Sequence, residues 1–363
     1  MKLFLCGDVM TARGIDQVLP HPSDPALHEG HADSALGYVR LAEERNGPIP
    51  RPADAGYIWG DALAELEHAA PAARIVNLET AVTASDDWLP KGINYRMHPA
   101  NVACLTAARI DCCALANNHV LDWGAAGLLE TLASLHAAGL KTAGAGADRA
   151  GAEAPAVLPL ESGERLLVFS FGTESSGIPA AWAAGAHAPG VDFLPSLSAA
   201  AVARLAQRVR SAAAPGDLVI ASIHWGANWG YEVADAERHF AHQLIEHAGV
   251  DLVHGHSSHH PKAIEVHRGK LILYGCGDFI NDYEGIRGRE AFRGDLGLMY
   301  FPTLEAGSGR LLSLELVPTQ MVRFRVTRAG TADGRWLCGR LERESRRFGV
   351  RTGMRADGRI ELQ

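Results

Sequence analysis

The sequence predicts an α/β layered sandwich, and two features of the chain support this fold class. Up to about residue 253, short apolar runs typical of buried strands alternate with longer segments that carry apolar residues at helical spacing. From Leu271 onward the segments become mostly strand-like. Alternating strands and helices are typical of sheets that are covered by helices.

Each element is predicted from its local pattern. Pro99 suits the first turn of a helix, where the missing N–H has no partner to lose, and Gly139 suits a helix C-terminus. Residues 20–56 are rich in proline and are predicted to be irregular. The predicted strands are residues 2–6, 73–77, 111–116, 166–171, 217–223, 250–253, 270–275, 295–301, 310–317 and 321–326, and the predicted helices are residues 61–69, 99–108, 124–138, 196–214 and 234–248.

Two units are expected along the chain. Residues 1–320 are predicted to form the main domain. Residues 321–363 are basic and polar, and we expect them to form a β-rich appendage at the surface.

Composition excludes several classes of protein. The 363 residues are 47% hydrophobic and 21% charged, which excludes a mostly disordered chain. The net charge of −8 argues against a general nucleic-acid binder. The longest apolar run, residues 166–171, is far below the ~18 residues of a membrane span. The N-terminus lacks the long apolar core of a signal peptide. We therefore predict a cytoplasmic protein with no membrane partner.

Polar residues follow five of the predicted strands. Alone, each has an ordinary structural explanation, such as a helix cap, a turn or a hydrogen-bonded core histidine. Together they occupy one topological position, the carboxyl ends of strands, where α/β sheets bind ligands. Their carboxylate and imidazole groups predict a site for a divalent metal ion. The five clusters are Gly7-Asp8-Val9-Met10, Asn77-Leu78-Glu79, Asn117-Asn118-His119, His224-Trp225-Gly226 and the histidine-rich run 254–260.

The ordered motifs resemble those of the CapA family, which is named for poly-γ-glutamate capsule synthesis. The motifs are GDVM, NLET, ANNH, HWG and HGHSSH, followed by LILYGCGDFIND, and the resemblance covers roughly residues 1–320. That family resembles the calcineurin-like metallophosphoesterases in fold. The resemblance implies a four-layer α/β/β/α sandwich with two mixed β-sheets and a metal centre at the strand ends.

The resemblance also implies roles for particular residues. It implies that His119 is a catalytic acid and that Asp278 orients a ligand histidine. His254 and His259 are further catalytic candidates. It implies one or two divalent ions (Mn, Zn, Fe or Ca). Met10 stands where the phosphoesterases carry a histidine, which puts a complete two-metal centre in doubt. The implied metal ligands are Asp8, Glu79 (in a bridging position), Asn118, His224 and His256.

Basic and aromatic residues near these motifs suggest how a substrate is held. Arg13, Lys91 and Arg96 are candidates for gripping a substrate carboxylate. Trp225 is a candidate for lining a pocket for a bulky side chain. The alternatives are solvated surface charges for the cations and core packing for the tryptophan.

Three classes of function remain open. The first is metal-assisted hydrolysis of an amide or phosphoester bond. The second is epimerisation at a peptide α-carbon by proton removal and return. The third is a non-catalytic binding module. So many polar groups at strand ends argue against the third class, and the missing histidine at Met10 argues against standard phosphoester hydrolysis.

The preferred expectation is a metal-dependent peptide epimerase. Soluble CapA-like enzymes that this chain resembles include peptide epimerases from lasso-peptide gene clusters, and this preference rests on that resemblance. The expected partner is a peptide or peptide-like substrate, with no nucleic acid. The oligomeric state stays open.

Overall fold

The computed structural model describes residues 1–160 and 163–363. Within them, the helices are α1 (Leu36–Asn46), α2 (Asp61–Ala69), α3 (Ala103–Ala107), α4 (Gly124–Ala137), α5 (Arg149–Glu153), α6 (Ala199–Ala212), α7 (Asp235–His247) and α8 (Thr331–Ser345). The strands are β1 (Leu3–Val9), β2 (Ala73–Leu78), β3 (Ala81–Val82), β4 (Arg96–Met97), β5 (Cys112–Ala114), β6 (Lys141–Ala143), β7 (Ala145–Gly146), β8 (Ala156–Pro159), β9 (Arg165–Thr173), β10 (Gly190–Val191), β11 (Phe193–Leu194), β12 (Leu218–His224), β13 (Leu252–His256), β14 (Ile264–His267), β15 (Lys270–Leu273), β16 (Asp278–Ile280), β17 (Leu296–Leu304), β18 (Leu311–Met321), β19 (Val326–Arg328), β20 (Thr352–Met354) and β21 (Ile360–Leu362).

Two large mixed sheets organise the molecule. The first has ten strands in the order β20-β21-β18-β17-β1-β2-β5-β6, with β16 paired to β1 and β19 paired to β18. Strands β1, β2, β5 and β6 run parallel, whereas β17 pairs antiparallel with β1 and β18 pairs antiparallel with β17. The second has seven strands in the order β11-β9-β12-β13-β15-β14, with β8 on β9. Strands β9, β12, β13 and β15 run parallel.

The alternation of side chains along the strands builds the layers. In β1, Leu3 and Leu5 belong to the apolar cluster between the two sheets, whereas Phe4 and Cys6 belong to the cluster under α1, α2 and α4. Strand β9 divides in the same way between the inter-sheet cluster and the cluster beneath α6 and α7. Since successive strand residues point to opposite faces, strands buried on both faces produce four layers. The predicted four-layer α/β/β/α sandwich is therefore confirmed.

The C-terminal segment is built into this core. Strand β21 pairs with β18 of the ten-stranded sheet, and α8 packs against β14, β18 and β20. Leu337, Leu341 and Ile360 are buried in the inter-sheet cluster. The expectation of a surface appendage at 321–363 was wrong in this respect, because apolar residues spaced along α8 close one side of the inter-sheet core. The domain boundary at residue 320 stays a prediction.

Two local predictions were also wrong. The predicted strand at 321–326 is broken by a tight turn at residues 322–325, between β18 and β19, in which Arg323 and Phe324 both adopt positive φ. Glu284 stabilises this turn by accepting hydrogen bonds from both backbone N–H groups. A turn without glycine or asparagine lacks the usual sequence signal. The proline-rich segment 20–56 contains helix α1, which buries Tyr38 and Val39.

A close approach of the backbone shapes the edge where the sheets meet. A Cβ at Gly7 would lie 1.6 Å from the carbonyl oxygen of Gly277. Only glycine therefore allows β1 to lie directly beside the segment leading into β16. As a result Asp8 and Asp278 become register partners.

Candidate metal centre

The carboxyl ends of the parallel strands bring the predicted site residues together. Asp8 of β1 is in register with Asn77 of β2, and His224 of β12 is in register with His256 of β13. The two strand pairs belong to different sheets, whose ends converge at one buried location. All four side chains are at most 1% exposed. Four of the polar residues at the predicted strand ends therefore lie together in the structure.

Asp8, His224 and His256 form one group of potential ligands. Donor atoms of the three side chains all lie within 4.8 Å of one another. The Nδ1 atoms of the two imidazoles face each other at 2.8 Å. The Oδ2 atom of Asp8 accepts a hydrogen bond of 3.3 Å from the backbone N–H of Ser257, a residue held at φ +101°. Such a conformation is strained for a non-glycine residue and is typical of functional sites.

Asp8, His259 and Asp278 form a second group that shares Asp8 with the first. Their donor atoms also lie within 4.8 Å of one another. His259 Nδ1 lies 2.8 Å from Asp278 Oδ1, and its Nε2 atom lies 2.9 Å from the side-chain amide of Asn228. The structure therefore provides an imidazole on this side although Met10 replaces the expected histidine.

Glu79 lies beside these groups rather than within them. Its Oε2 atom is 3.4 Å from the amide nitrogen of Asn77, which also donates to Asp8 Oδ1 at 2.7 Å. Its Oε1 atom is 3.7 Å from His119 Nε2. Asp8 is the residue that the two groups share, and Glu79 forms a hydrogen bond with it, so the bridging role of Glu79 stays a prediction.

The buried carboxyl groups hold their protons more tightly than usual. Burial and the charge of Asp278 raise the pKa of Asp8 to about 7, although the hydrogen bond from Asn77 opposes the rise. Burial and the neighbouring Asp8 raise the pKa of Glu79 well above its ordinary value. Crowded, buried carboxylates need a nearby positive charge to ionise. This donor set fits a divalent cation, which would displace the protons.

The imidazoles differ in their charge preference. Burial lowers the pKa of His224 and of His256 well below the ordinary value, and each is lowered further by neighbouring histidines. Burial also acts on His259, but the charge and the hydrogen bond of Asp278 outweigh it and raise its pKa. The first pair is therefore neutral at pH 7, the form that binds metals.

A histidine–aspartate pair lies next to Glu79. His119 Nδ1 is 2.7 Å from Asp122 Oδ2, and the His119 ring stacks on Tyr95 at a centroid distance of 3.9 Å. Burial lowers the pKa of His119 to about 4, against the opposing effect of Asp122. Lys91 Nζ donates to Asp122 Oδ1 at 2.7 Å and lies 3.4 Å from His119 Nδ1. The arrangement fixes the direction of His119 Nε2 toward Glu79.

Asn118 also lies at the site. Its side-chain oxygen is 3.1 Å from His224 Nε2, and the residue is half-buried. It therefore lies on the more open side of the centre, where the backbone carbonyl of the same residue contacts Lys91.

Three of the predicted site residues have partners that leave no room for the expected role. His254 Nε2 bonds to the carbonyl oxygen of Cys6 at 2.7 Å, so this histidine is fixed between the sheets below the centre. Trp225 is 1% exposed and donates its N–H to the carbonyl oxygen of Tyr274, which places it in the core. The prediction of a catalytic role for His254 and a substrate-binding role for Trp225 is thus corrected.

Arg13 is likewise engaged. Its guanidinium forms ion pairs with Asp282 at 2.5 Å and with Glu29 at 3.0 Å, and it stacks over Tyr38. Since the side chain is 3% exposed, a substrate carboxylate has no access to it. The expected substrate-binding role for Arg13 is corrected to a structural one.

Arg96 and Lys91 differ in position. Arg96 stacks over Trp123 at 3.9 Å and pairs with the exposed carboxylate of Asp86 at 2.9 Å, away from both ligand groups. Lys91 lies beside His119 with a quarter of its side chain exposed. Of the predicted cations, Lys91 alone borders the centre.

Several contributing residues were missed by the analysis of the sequence. Asp122 follows His119 by three residues, a spacing that could have indicated the pair. Ser222 lies two residues before His224 on the same face of β12 and links His254 Nδ1 to His256 Nε2 through its hydroxyl. Asn228 and Tyr95 have no local signal, because their partners lie far away in the chain.

The fold and the site together define an α/β sandwich of the metallophosphoesterase-like superfamily, with a candidate metal centre at the strand ends. Residues 2–283 match the family described as bacterial capsule synthesis protein PGA_cap. The chain belongs to this family, as the resemblance to CapA proteins predicted.

The relatives come from several bacteria. Two Mycobacterium tuberculosis proteins, from strains CDC 1551 / Oshkosh and ATCC 25618 / H37Rv, are each named a probable polyglutamine synthesis accessory protein. Each is 49% identical over 364 residues, covering 100% of this chain and 96% of the relative. The PGA biosynthesis protein CapA of Bacillus subtilis strain 168 is 26% identical over 306 residues, covering 84% of this chain and 68% of the relative. The chain is therefore similar to proteins named as a probable accessory protein of polyglutamine synthesis and as a PGA biosynthesis protein.

The sequence predicted that no segment of the chain spans a membrane. Among the described residues, no helix combines the length and apolar character that crossing a bilayer requires. The cytoplasmic location stays a prediction.

Proposed function

We propose that this protein is a metal-dependent enzyme that acts on an amide-linked glutamyl or glutaminyl polymer, or on a related peptide, during its synthesis. The observation that carries the proposal is Asp8, a buried carboxylate shared by two groups of potential metal ligands. The names of the relatives support the substrate class, since they refer to polyglutamine and to poly-γ-glutamate (PGA) biosynthesis.

Different residues of the site would bind the metal ions, transfer the proton and attract the substrate. Asp8, His224 and His256 would hold one ion, and Asp8, His259 and Asp278 a second. A bound divalent ion would polarise a carbonyl oxygen and acidify a water molecule. His119, held by Asp122, is placed to move a proton at Nε2, and Lys91 is placed to attract a substrate carboxylate.

Amide hydrolysis is the first candidate reaction. It adds one water molecule across the C–N bond: His119 Nε2 would take a proton from the attacking water and then deliver it to the leaving nitrogen. This reaction suits a centre in which both groups of ligands are occupied, because two ions can contact both the attacking and the leaving atoms.

Epimerisation at an α-carbon is the second candidate, and one observation favours it. The environments of His119 and His259 move their pKa values in opposite directions, down to about 4 for His119 and above the ordinary value for His259. Pairs of groups separated in this way suit the roles of base and acid. This reaction requires His259 to be free of metal, hence a single ion. The family and the relatives lend no support to a lasso-peptide substrate.

One experiment separates these reactions. Oligo-γ-glutamate and oligoglutamine peptides are incubated with the purified protein in heavy water, and the products are analysed by mass spectrometry. The number of bound ions is measured on the same sample. Two ions with cleaved peptide and no deuterium at the α-carbon support hydrolysis, whereas one ion with deuterium in uncut peptide supports epimerisation.

The control is the His119→Gln variant, which should keep its metal and lose activity. A metal-loaded protein that changes none of these peptides but hydrolyses a phosphoester would overturn the proposed substrate. If the metal-loaded protein binds the peptides but changes neither peptides nor phosphoesters, it is a non-catalytic binding module.

A further inference from the structure

A second cluster of potential ligands lies outside the metal centre, between α7 and the edge strand β14. His242 and Glu246 are one helical turn apart on α7. Glu265 and His267 alternate on β14 and so point to the same face of the strand. We call these four residues the α7–β14 cluster.

The contacts within the cluster are direct. His242 Nε2 lies 3.0 Å from Glu265 Oε1, and His267 Nε2 lies 2.7 Å from Glu246 Oε1. The two imidazole rings stack face to face with a centroid distance of 3.7 Å and an interplanar angle of 7°. Each stacked ring thus has one nitrogen against a carboxylate, which brings imidazole and carboxylate donors into one place.

The donor set matches the chemistry of a transition metal. Donor atoms of His242, Glu265 and His267 all lie within 4.8 Å of one another. Two imidazoles and one carboxylate are ligands that zinc uses in proteins, with Glu246 close enough to His267 to add a fourth. Both histidine side chains are 20% exposed, so an ion has a path from solvent.

Glu265 has further partners that bear on this role. Tyr274 donates its hydroxyl to Oε2 at 2.6 Å, which orients the carboxylate and leaves Oε1 toward the histidines. Hydrogen bonds of this kind commonly support metal ligands. Arg238 donates to Oε1 at 3.2 Å and Arg268 to Glu246 Oε1 at 2.9 Å. These arginine side chains are 44% and 68% exposed and can turn into solvent when a cation binds.

We propose that the α7–β14 cluster is a separate site for a zinc-type divalent ion, which joins helix α7 to the edge of the seven-stranded sheet. Strand β14 begins five residues after His259, so the ion would anchor the segment that carries the histidine-rich loop. The site shares no residue with the proposed catalytic centre, and its existence does not depend on the reaction catalysed there.

Zinc titration of the full-length protein tests this proposal. Metal-stripped wild type and the His242→Gln/His267→Gln double variant are titrated with Zn²⁺ and analysed for bound metal. The matched control is His68→Gln/His239→Gln, which changes two exposed histidines outside the cluster, one of them on α7. We expect the cluster variant to bind one equivalent less than both wild type and the control. Equal stoichiometry in all three proteins would overturn the proposal.

A second measurement avoids variants altogether. Diethyl pyrocarbonate modifies accessible imidazoles, and peptide mass spectrometry locates the modified histidines. In wild type, Zn²⁺ should protect His242 and His267 and leave His239 reactive. Equal modification of the two cluster histidines with and without Zn²⁺ would contradict the proposal, even if the double variant failed to fold.

Discussion

His224 and His256 face each other across neighbouring strands with their Nδ1 atoms 2.8 Å apart. Both imidazoles are buried, and burial lowers their pKa values, so both rings are neutral and one donates an N–H to the other. With Asp8 in the same group, this contact places two imidazoles and a carboxylate where they could hold one metal ion.

The first prediction concerns the metal content of His256→Ala. This substitution removes one donor of the His224 group, and we expect the purified variant to lose at least one bound ion. Elemental analysis of protein dialysed against metal-free buffer measures this. His247→Ala, which changes a histidine whose side chain is 58% exposed, should keep the wild-type content. An unchanged metal content in His256→Ala would show that the group Asp8, His224 and His256 does not bind a metal ion.

The second prediction separates rate from metal binding. His119→Gln should keep the ions and lower kcat by about 10²–10⁴-fold, because a positioned acid or base contributes that much. Asp122→Asn should also lower kcat, since it weakens the contact that orients the imidazole. If His119→Gln lost its metal with the same severity as His256→Ala, His119 would be a ligand instead.

The third prediction concerns the C-terminal segment. Leu341 lies in the inter-sheet core at 1% exposure, and Leu341→Ala should destabilise the protein by about 2–5 kcal/mol. Leu312 is 51% exposed, and Leu312→Ala should change stability by less than about 0.5 kcal/mol. Denaturant midpoints of the two variants measure the difference. Equal, small effects would mean that residues beyond 320 fold independently of the core.

The fourth prediction concerns pH. Burial raises the pKa of Asp192 from 3.8 to about 6, although Arg208 opposes the rise. The folded state therefore prefers the neutral acid, and its stability falls as pH rises from about 4 to 6. Asp192→Asn removes this dependence, so the stability of the variant relative to wild type should rise by roughly 2 kcal/mol between pH 4 and pH 7.

Asp217 provides the control with the opposite sign. The hydrogen bond from Arg165 lowers the pKa of Asp217, so this carboxylate stabilises the fold above its ordinary pKa, and the contribution is lost as pH falls. Asp217→Asn should therefore be more harmful at pH 7 than at pH 3. If Asp192→Asn showed this same direction, the Arg208 pair would outweigh burial at Asp192.

Some features were determined by local sequence alone. Helix α2 has the predicted bounds, and α4 ends one residue before the predicted end, because apolar spacing and the flanking glycine are local signals. Asp8 and His256 were placed at the carboxyl ends of strands for the same reason. The motif pattern also led to the correct family.

The tertiary structure decided which polar groups are available at the centre. Arg13 is hydrogen-bonded to Asp282, 269 residues away. His254 is hydrogen-bonded to the carbonyl oxygen of Cys6, 248 residues away. Asp278 joins Asp8 only because β16 lies beside β1. Local periodicity gives the face on which a side chain lies, whereas its partner depends on how distant strands pair. Burial by those strands, together with the charged partners that they bring close, then determines whether the side chain is ionised.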